Sequence, residues 1–296
     1  MVLAVVVVPA IAYFKVGGIG EIRAAMALKE ISSTLIPRGE RFPLLAIISA
    51  AAWGLGYFGQ PHILARFMSV KSVRKLRESM TIAIVWVALS LGGAVVIGLI
   101  GIGMFDNLTG GKEEKIFIYM ISRVMHPWLA GIMLAAILSA IMSSIDSQLL
   151  VSSSALTEDF YQKAIKKDAS VREIVLIGRI SVVIISAVAL VLALTWDDTI
   201  LGIVAYAWGG LGAAFGPVVL FALFSRRTGW QAALAGMVSG TVTLVLWKQA
   251  GLDRYLYEIV PGFACNCLVI LMVNSFSGQR NEGVLQQYEQ VVEEAR

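Results

Sequence analysis

The sequence predicts an all-α integral membrane protein, and two observations carry that reading. Of 296 residues, 58% are hydrophobic and only 15% charged, against roughly 45–50% and 25% in ordinary soluble domains. Apolar spans also recur along the whole chain, most of them about 18–25 residues, the length that a hydrocarbon core of roughly 30 Å requires at 1.5 Å per residue. A large buried soluble core would not need so many.

Eight candidate transmembrane helices follow in order: Val2–Phe14, Pro43–Gln60, Met80–Met104, Trp128–Leu150, Ile174–Leu194, Ile200–Phe224, Trp230–Trp247 and Ile259–Phe276. The first is short and looks like a helix whose beginning is missing. A signal-peptide core would have a similar length, but no basic n-region precedes it and no small-x-small cleavage site follows. Placing Met1 inside puts two basic loops in the cytoplasm. Ala65–Ser79 holds Arg66, Lys71, Arg74, Lys75 and Arg77, and Glu158–Arg179 holds Lys163, Lys166, Lys167, Arg172 and Arg179. Arg226, Arg227, Arg280 and Arg296 fall on the same side, which leaves the C-terminus cytoplasmic. The external loop Lys15–Phe42 weakens the bias with Lys15, Arg23, Lys29, Arg38 and Arg41, partly neutralised by three glutamates. The net charge of +4 needs no nucleic-acid partner, because basic residues beside spans fix topology.

Several features take plain readings. Cys265 and Cys267 point to different faces of one helix and do not bridge. His62 and His126 are isolated at span ends and suggest no metal site. Asn107-Leu108-Thr109 matches a glycosylation sequon in an external loop. Lys112–Met125 sets Ile116, Phe117, Met120, Ile121 and Val124 at helical spacing, as an external helix lying in the interface would. The tail Gly278–Arg296 reads as a solvated, fraying helix.

The chemistry is sought inside the spans. Pro127–Leu156 carries Ser143, Ser144, Asp146 and Ser147 at membrane depth, where an ionisable residue is a functional-site hypothesis by default. At 100° per residue Ala136, Ala140, Ser143, Ser144, Ser147, Val151 and Ser154 share a stripe about 100° wide, and Asp146 lies about 60° from Ser143. Hydroxyls and freed carbonyls suit a hard monovalent cation. Serine in a span also bonds its own i−4 carbonyl, and small faces also serve close helix packing; Asp146 tips the reading toward a cation site.

The second constellation is Trp53-Gly54-Leu55-Gly56-Tyr57-Phe58-Gly59-Gln60-Pro61-His62. Its G-x-G-x-x-G would bind a dinucleotide only between a strand and a helix, and here it sits inside an apolar span. Three glycines and a proline instead weaken the helix and let a backbone or a small ligand approach. Trp53 and Tyr57 share a face, as packing residues, an interfacial belt or a binding wall. A third region, Tyr206–Pro217, with Gly209, Gly210, Gly212 and Gly216, is expected to interrupt its span as well. Several broken spans suggest a moving transporter.

The segments Trp53–Met68, Ala136–Leu150 and Tyr206–Leu220 closely resemble the proline-carrying members of the sodium:solute symporter family, and the likeness runs over essentially the whole chain. The resemblance implies the leucine-transporter fold, two inverted five-helix repeats with extra helices, of which this chain matches about the later three fifths. It divides the chain into 1–42, the end of a first-repeat helix with an external loop; 43–224, the second repeat; 225–277, two extra helices; and 278–296, a cytoplasmic tail. By position, the Ala140 carbonyl and the Ser143 and Ser144 hydroxyls are implied sodium ligands. Asp146 remains a candidate beside them, and Trp53, Tyr57 and Pro61 are implied to line the proline pocket. The implied activity is sodium-coupled symport of L-proline across a bacterial inner membrane, with no organic cofactor and an oligomeric state left open. The chain alone is expected not to transport, since the other ligands belong to a helix it lacks. A carrier of another solute stays open; a sensory module finds no signalling segment after Phe276, and an enzyme finds no nucleophile, base and orienting set.

Overall fold

The computed structural model describes residues 2–31, 43–70, 72–106, 111–196, 198–225 and 228–276. Arg38, Arg41, Lys71, the sequon at Asn107, Arg226, Arg227 and the tail with Arg280 and Arg296 lie outside them. Among the described residues there is no strand. The chain forms two compact units, Met1–Ser33 with Glu78–Thr199, and Thr34–Arg77 with Ile200–Arg296.

The first unit is built on α1 (Val2–Val16), α2 (Ile19–Leu28), α5 (Val73–Met104, mostly in this unit), α6 (Ile116–Val124), α7 (Pro127–Ser154) and α8 (Val171–Thr195). Gly17 and Gly18, at φ 95° and 85°, stop α1, since residues with a Cβ adopt that conformation at a cost. α1 and α2 therefore form a bent pair at 76°. Val8, Ala12, Ile22, Met26, Ile97, Ile100, Met120, Ile121 and Val124 make the core. The apolar stripe of α6, expected to lie in the membrane interface, thus packs inside the protein.

Cations close the helix ends of this unit. The C-terminal carbonyls of a helix have no partner within it. The Lys29 ammonium donates to the Ile102 and Phe105 carbonyls at 2.7 and 2.6 Å. Arg123 donates to Met104 at 2.9 Å, and Lys15 reaches the Val124 carbonyl that ends α6, at 3.3 Å. Beyond Ser154 the α7 backbone continues as a π-helix over Ala155–Ile165. It is tied to α8 where the Tyr161 hydroxyl donates to Glu173 at 2.6 Å and Lys166 pairs with the same carboxylate at 2.9 Å.

The second unit holds α3 (Pro43–Gly56), α4 (Pro61–Met68), α9 (Ile200–Phe224), α10 (Trp230–Gln249) and α11 (Ile259–Phe276). Ala52, Ala213, Leu244 and Ile259 form its buried centre. The stretch Tyr206–Pro217 was expected to interrupt its span, but α9 runs through it unbroken. Gly209, Gly212 and Gly216 are buried on one side, where they admit neighbours: a Cβ at Gly212 would stand 2.7 Å from the Gly56 Cα, and one at Gly216 2.7 Å from the Phe263 ring. Small residues here bring helices together, as membrane helices commonly require.

Among the described residues six helices are long and apolar enough to cross a membrane: α5, α7 with its continuation, α8, α9, α10 and α11. Of the other two expected spans, Val2–Phe14 is one arm of the bent α1–α2 pair, which counts as a seventh span if taken as one. Pro43–Gln60 becomes the shorter apolar helix Leu44–Gly59, because it breaks near its end. Cys265 and Cys267 are both free thiols.

Candidate functional site

The two groups of candidate residues fall in different units. On α7 the backbone stays helical through Ala140, Ser143, Ser144 and Asp146, so no carbonyl there is released by a break. The Ser144 hydroxyl donates to the Ala140 carbonyl at 3.1 Å, and the Ser147 hydroxyl to the Ser143 carbonyl at 2.9 Å. These are i−4 bonds of the kind serine makes in spans. A hydroxyl that donates still holds its lone pairs, so the Ala140 and Ser144 oxygens stand side by side as hard acceptors. Ser143, Ser144 and Asp146 are exposed on this unit, while Ala140 and Ser147 are half-buried. Among the described residues no three His, Cys, Asp or Glu side chains gather as a metal cluster; oxygen donors of the serine and carbonyl type instead suit a monovalent ion.

In the other unit the G-x-G-x-x-G segment behaves as its composition demands. α3 ends at Gly56, Tyr57–Gly59 tightens into a 3-10 turn, Gln60 is extended, and Pro61 opens α4. Proline fits there because the first helical position has no use for an N–H. A Cβ on Gly56 would collide with the Trp208 indole, and one on Gly59 with the Leu211 carbonyl. What approaches the glycines is therefore α9.

That approach builds an aromatic cluster. Trp53 stacks on Trp208 with centroids 5.7 Å apart and on Tyr257 at 6.1 Å, and Tyr57 meets Trp208 edge-on at 4.9 Å. The Trp208 indole donates to the Trp53 carbonyl at 2.9 Å, where α3 gives way to the tighter turn. Gln60 is 2% exposed and donates to the Trp208 carbonyl at 3.3 Å. The Tyr257 hydroxyl donates to the Ala205 carbonyl at 2.6 Å. Burial, and secondarily Glu258, hold that phenol well above its ordinary pKa, so it stays a donor. Tyr57 remains 45% exposed, and Pro61 is exposed beyond the turn. Trp53 and Tyr57 thus meet through Trp208, while Pro61 marks the far side of the break.

Trp208, Gln60 and Tyr257 did not stand out as site residues in the sequence. Trp208 lies within the glycine-rich segment Tyr206–Pro217 and could have been paired with the Trp53 region, both being small-residue stretches with an aromatic. Tyr257 carries no local signal.

Several helices of membrane-crossing length, beside an apolar helix broken at an aromatic segment, define a multi-pass membrane protein. The model of the sodium:solute symporter family matches residues 1–240, and the chain belongs to that family, whose members are transporters and not enzymes. It is 43% identical over 290 residues to the high-affinity proline transporter PutP of Bacillus subtilis (strain 168), covering 97% of this chain and 61% of that protein. It is 44% identical over 278 residues to the sodium/proline symporter of Escherichia coli (strain K12), covering 92% of this chain and 55% of that protein. The osmoregulated proline transporter OpuE of Bacillus subtilis is 40% identical over 278 residues, covering 93% of this chain and 56% of that protein. The chain therefore spans less than two thirds of the length of these relatives.

Proposed function

We propose that this chain provides the second repeat, 43–224, and the following helices of a carrier that couples sodium entry to L-proline uptake. The relatives named for proline transport support the solute. The observation that carries the reading onto this chain is the aromatic cluster at the α3 break, in which Tyr57 stays exposed beside Trp53 and Trp208. An apolar pyrrolidine ring suits such a wall, and polar groups of the broken backbone can meet its carboxylate and ammonium.

Sodium is placed at the Ala140 carbonyl and the Ser143 and Ser144 hydroxyls, with Asp146 beside them. Further ligands would come from the part of the relatives that this chain does not span. Transport proceeds by alternating access. Sodium binding favours the conformation that takes up proline, and by linkage proline raises sodium affinity by the same factor. A potential of about 100 mV supplies roughly 2.3 kcal/mol per charge moved. The protein sits in the bacterial inner membrane with its C-terminus in the cytoplasm. Labelled proline uptake by vesicles bearing the full-length gene product, with and without a sodium gradient, tests the assignment. Uptake that ignores sodium, or sodium-driven uptake of another solute with proline excluded, would reject it.

A further inference from the structure

Asn266 sits at the centre of the second unit, fully buried, between the two free cysteines of α11. Its side-chain nitrogen donates to two carbonyls of α9, Ala213 at 2.7 Å and Ala214 at 2.8 Å. The reason lies four residues further along α9. Pro217 is inside the helix and fully buried, and having no N–H it leaves the Ala213 carbonyl without its helical donor. A buried carbonyl left unpaired is costly where no water reaches. Asn266 supplies the missing hydrogen from a neighbouring helix.

The orientation of the carboxamide follows from the same arithmetic. Its two hydrogens both go to α9, and its oxygen has no hydrogen-bond partner; turned over, it would set oxygen against two carbonyls. The oxygen faces Gly236 of α10, where a Cβ would collide with it. Gly240 opens the same crossing, since a Cβ there would stand 3.0 Å from the Asn266 Cβ. Three helices are thus cut to fit one amide.

The same helix, α9, carries Trp208, whose indole and carbonyl hold Trp53 and Gln60 at the α3 break. We infer that Asn266 is a positioning residue for the aromatic wall: it closes the turn that Pro217 opens in α9 and thereby fixes the pose of Trp208. The consequence for the solute rests on the proposed function; the latch itself does not.

The test is a double-mutant cycle, because Pro217→Ala restores the N–H that makes Asn266 necessary. The full chain carries seven tryptophans. Labelled with 5-fluorotryptophan in nanodiscs, it gives a fluorine resonance for Trp208 that Trp208→Phe assigns. Asn266→Ala is expected to shift or broaden that resonance, whereas Pro217→Ala with Asn266→Ala should match Pro217→Ala alone. An unmoved Trp208 resonance in Asn266→Ala, or a double variant as disturbed as Asn266→Ala, overturns the proposal. Should Asn266→Ala fail to fold, the comparison of Pro217→Ala with the double variant decides: matching spectra support the latch and differing spectra refute it. Proline titrated into the labelled full-length product separates the two readings. A Trp208 resonance that ignores proline while the cycle stays coupled removes the substrate wall and keeps the latch.

Discussion

Helices α7 and α9 are both apolar, both rich in small residues, and treated in opposite ways. A third of the apolar stretch of α9 (33%) is buried within this chain, against 6% of that of α7. The buried glycines of α9 each meet a neighbour: Gly212 the α3 backbone, Gly216 the Phe263 ring, Gly209 the Tyr257 hydroxyl. Ser144 and Ser147 of α7 turn instead to carbonyls of their own helix. Small residues therefore mark two different things. Glycine without a side chain invites another helix to close contact, while serine brings an oxygen that can be offered to something else.

That contrast can be broken most forcefully at Gly212. Gly212→Val drives a side chain into the Gly56 backbone, and overpacking of this kind costs about 1–3 kcal/mol or more. A lower thermal midpoint and loss of Trp208 order are expected. Gly54→Ala on α3 is the control, since nothing lies within 4 Å of the added Cβ; there a helix interior should gain about 0.5–1 kcal/mol. Equal behaviour of the two variants would show that α9 is not packed as described.

On α7 the expected effect is functional and not structural. In the full-length product, Ser144→Ala should raise the sodium concentration for half-maximal uptake about tenfold, equivalent to about 1.4 kcal/mol, with expression unchanged, because the exposed hydroxyl packs against little. Tyr57→Ala should act on proline alone. Aromatic contacts are worth about 0.5–1.5 kcal/mol, so proline uptake should need several-fold more substrate while the sodium dependence holds. A matching loss of sodium affinity in that variant would contradict separate sodium and proline walls.

The smallest effect concerns α4. Burial, and then the nearby Arg66 charge, lower the His62 pKa from its ordinary value. The unfolded chain thus takes up a proton more readily than the folded one, so stability is full above about pH 6.5, the ordinary histidine value, and falls as pH drops below it. Thermal midpoints measured from pH 7.5 to pH 5 should decline less in His62→Gln than in the parent chain; parallel declines would refute the assignment.

Much of this was legible in the sequence. Hydropathy located the membrane helices because hydrocarbon demands long apolar runs, and the glycines and proline from Gly54 to Pro61 announced a break that the structure contains. The glycines of α9 were misread as a break because a glycine run states only that a side chain is missing. Whether the gap holds a helix neighbour is a tertiary fact. Asn266 was invisible for a related reason, since the carbonyl it serves is created by Pro217 on another helix. Lys29 looked like an inconvenient charge in an external loop and proves to cap the end of α5. On α7 the stripe of hydroxyls was legible, but the intact helix through it was not, as serine supports both outcomes.

The separation of the two walls is tested most directly by one curve: initial proline uptake against sodium concentration in vesicles bearing the full-length product, for the parent and for Ser143→Ala with Ser144→Ala. The curve of the double variant is expected at sodium concentrations at least about tenfold higher, a shift of about 1.4 kcal/mol or more, with the same amount of protein in the membrane. Superimposed curves would contradict the sodium site on α7.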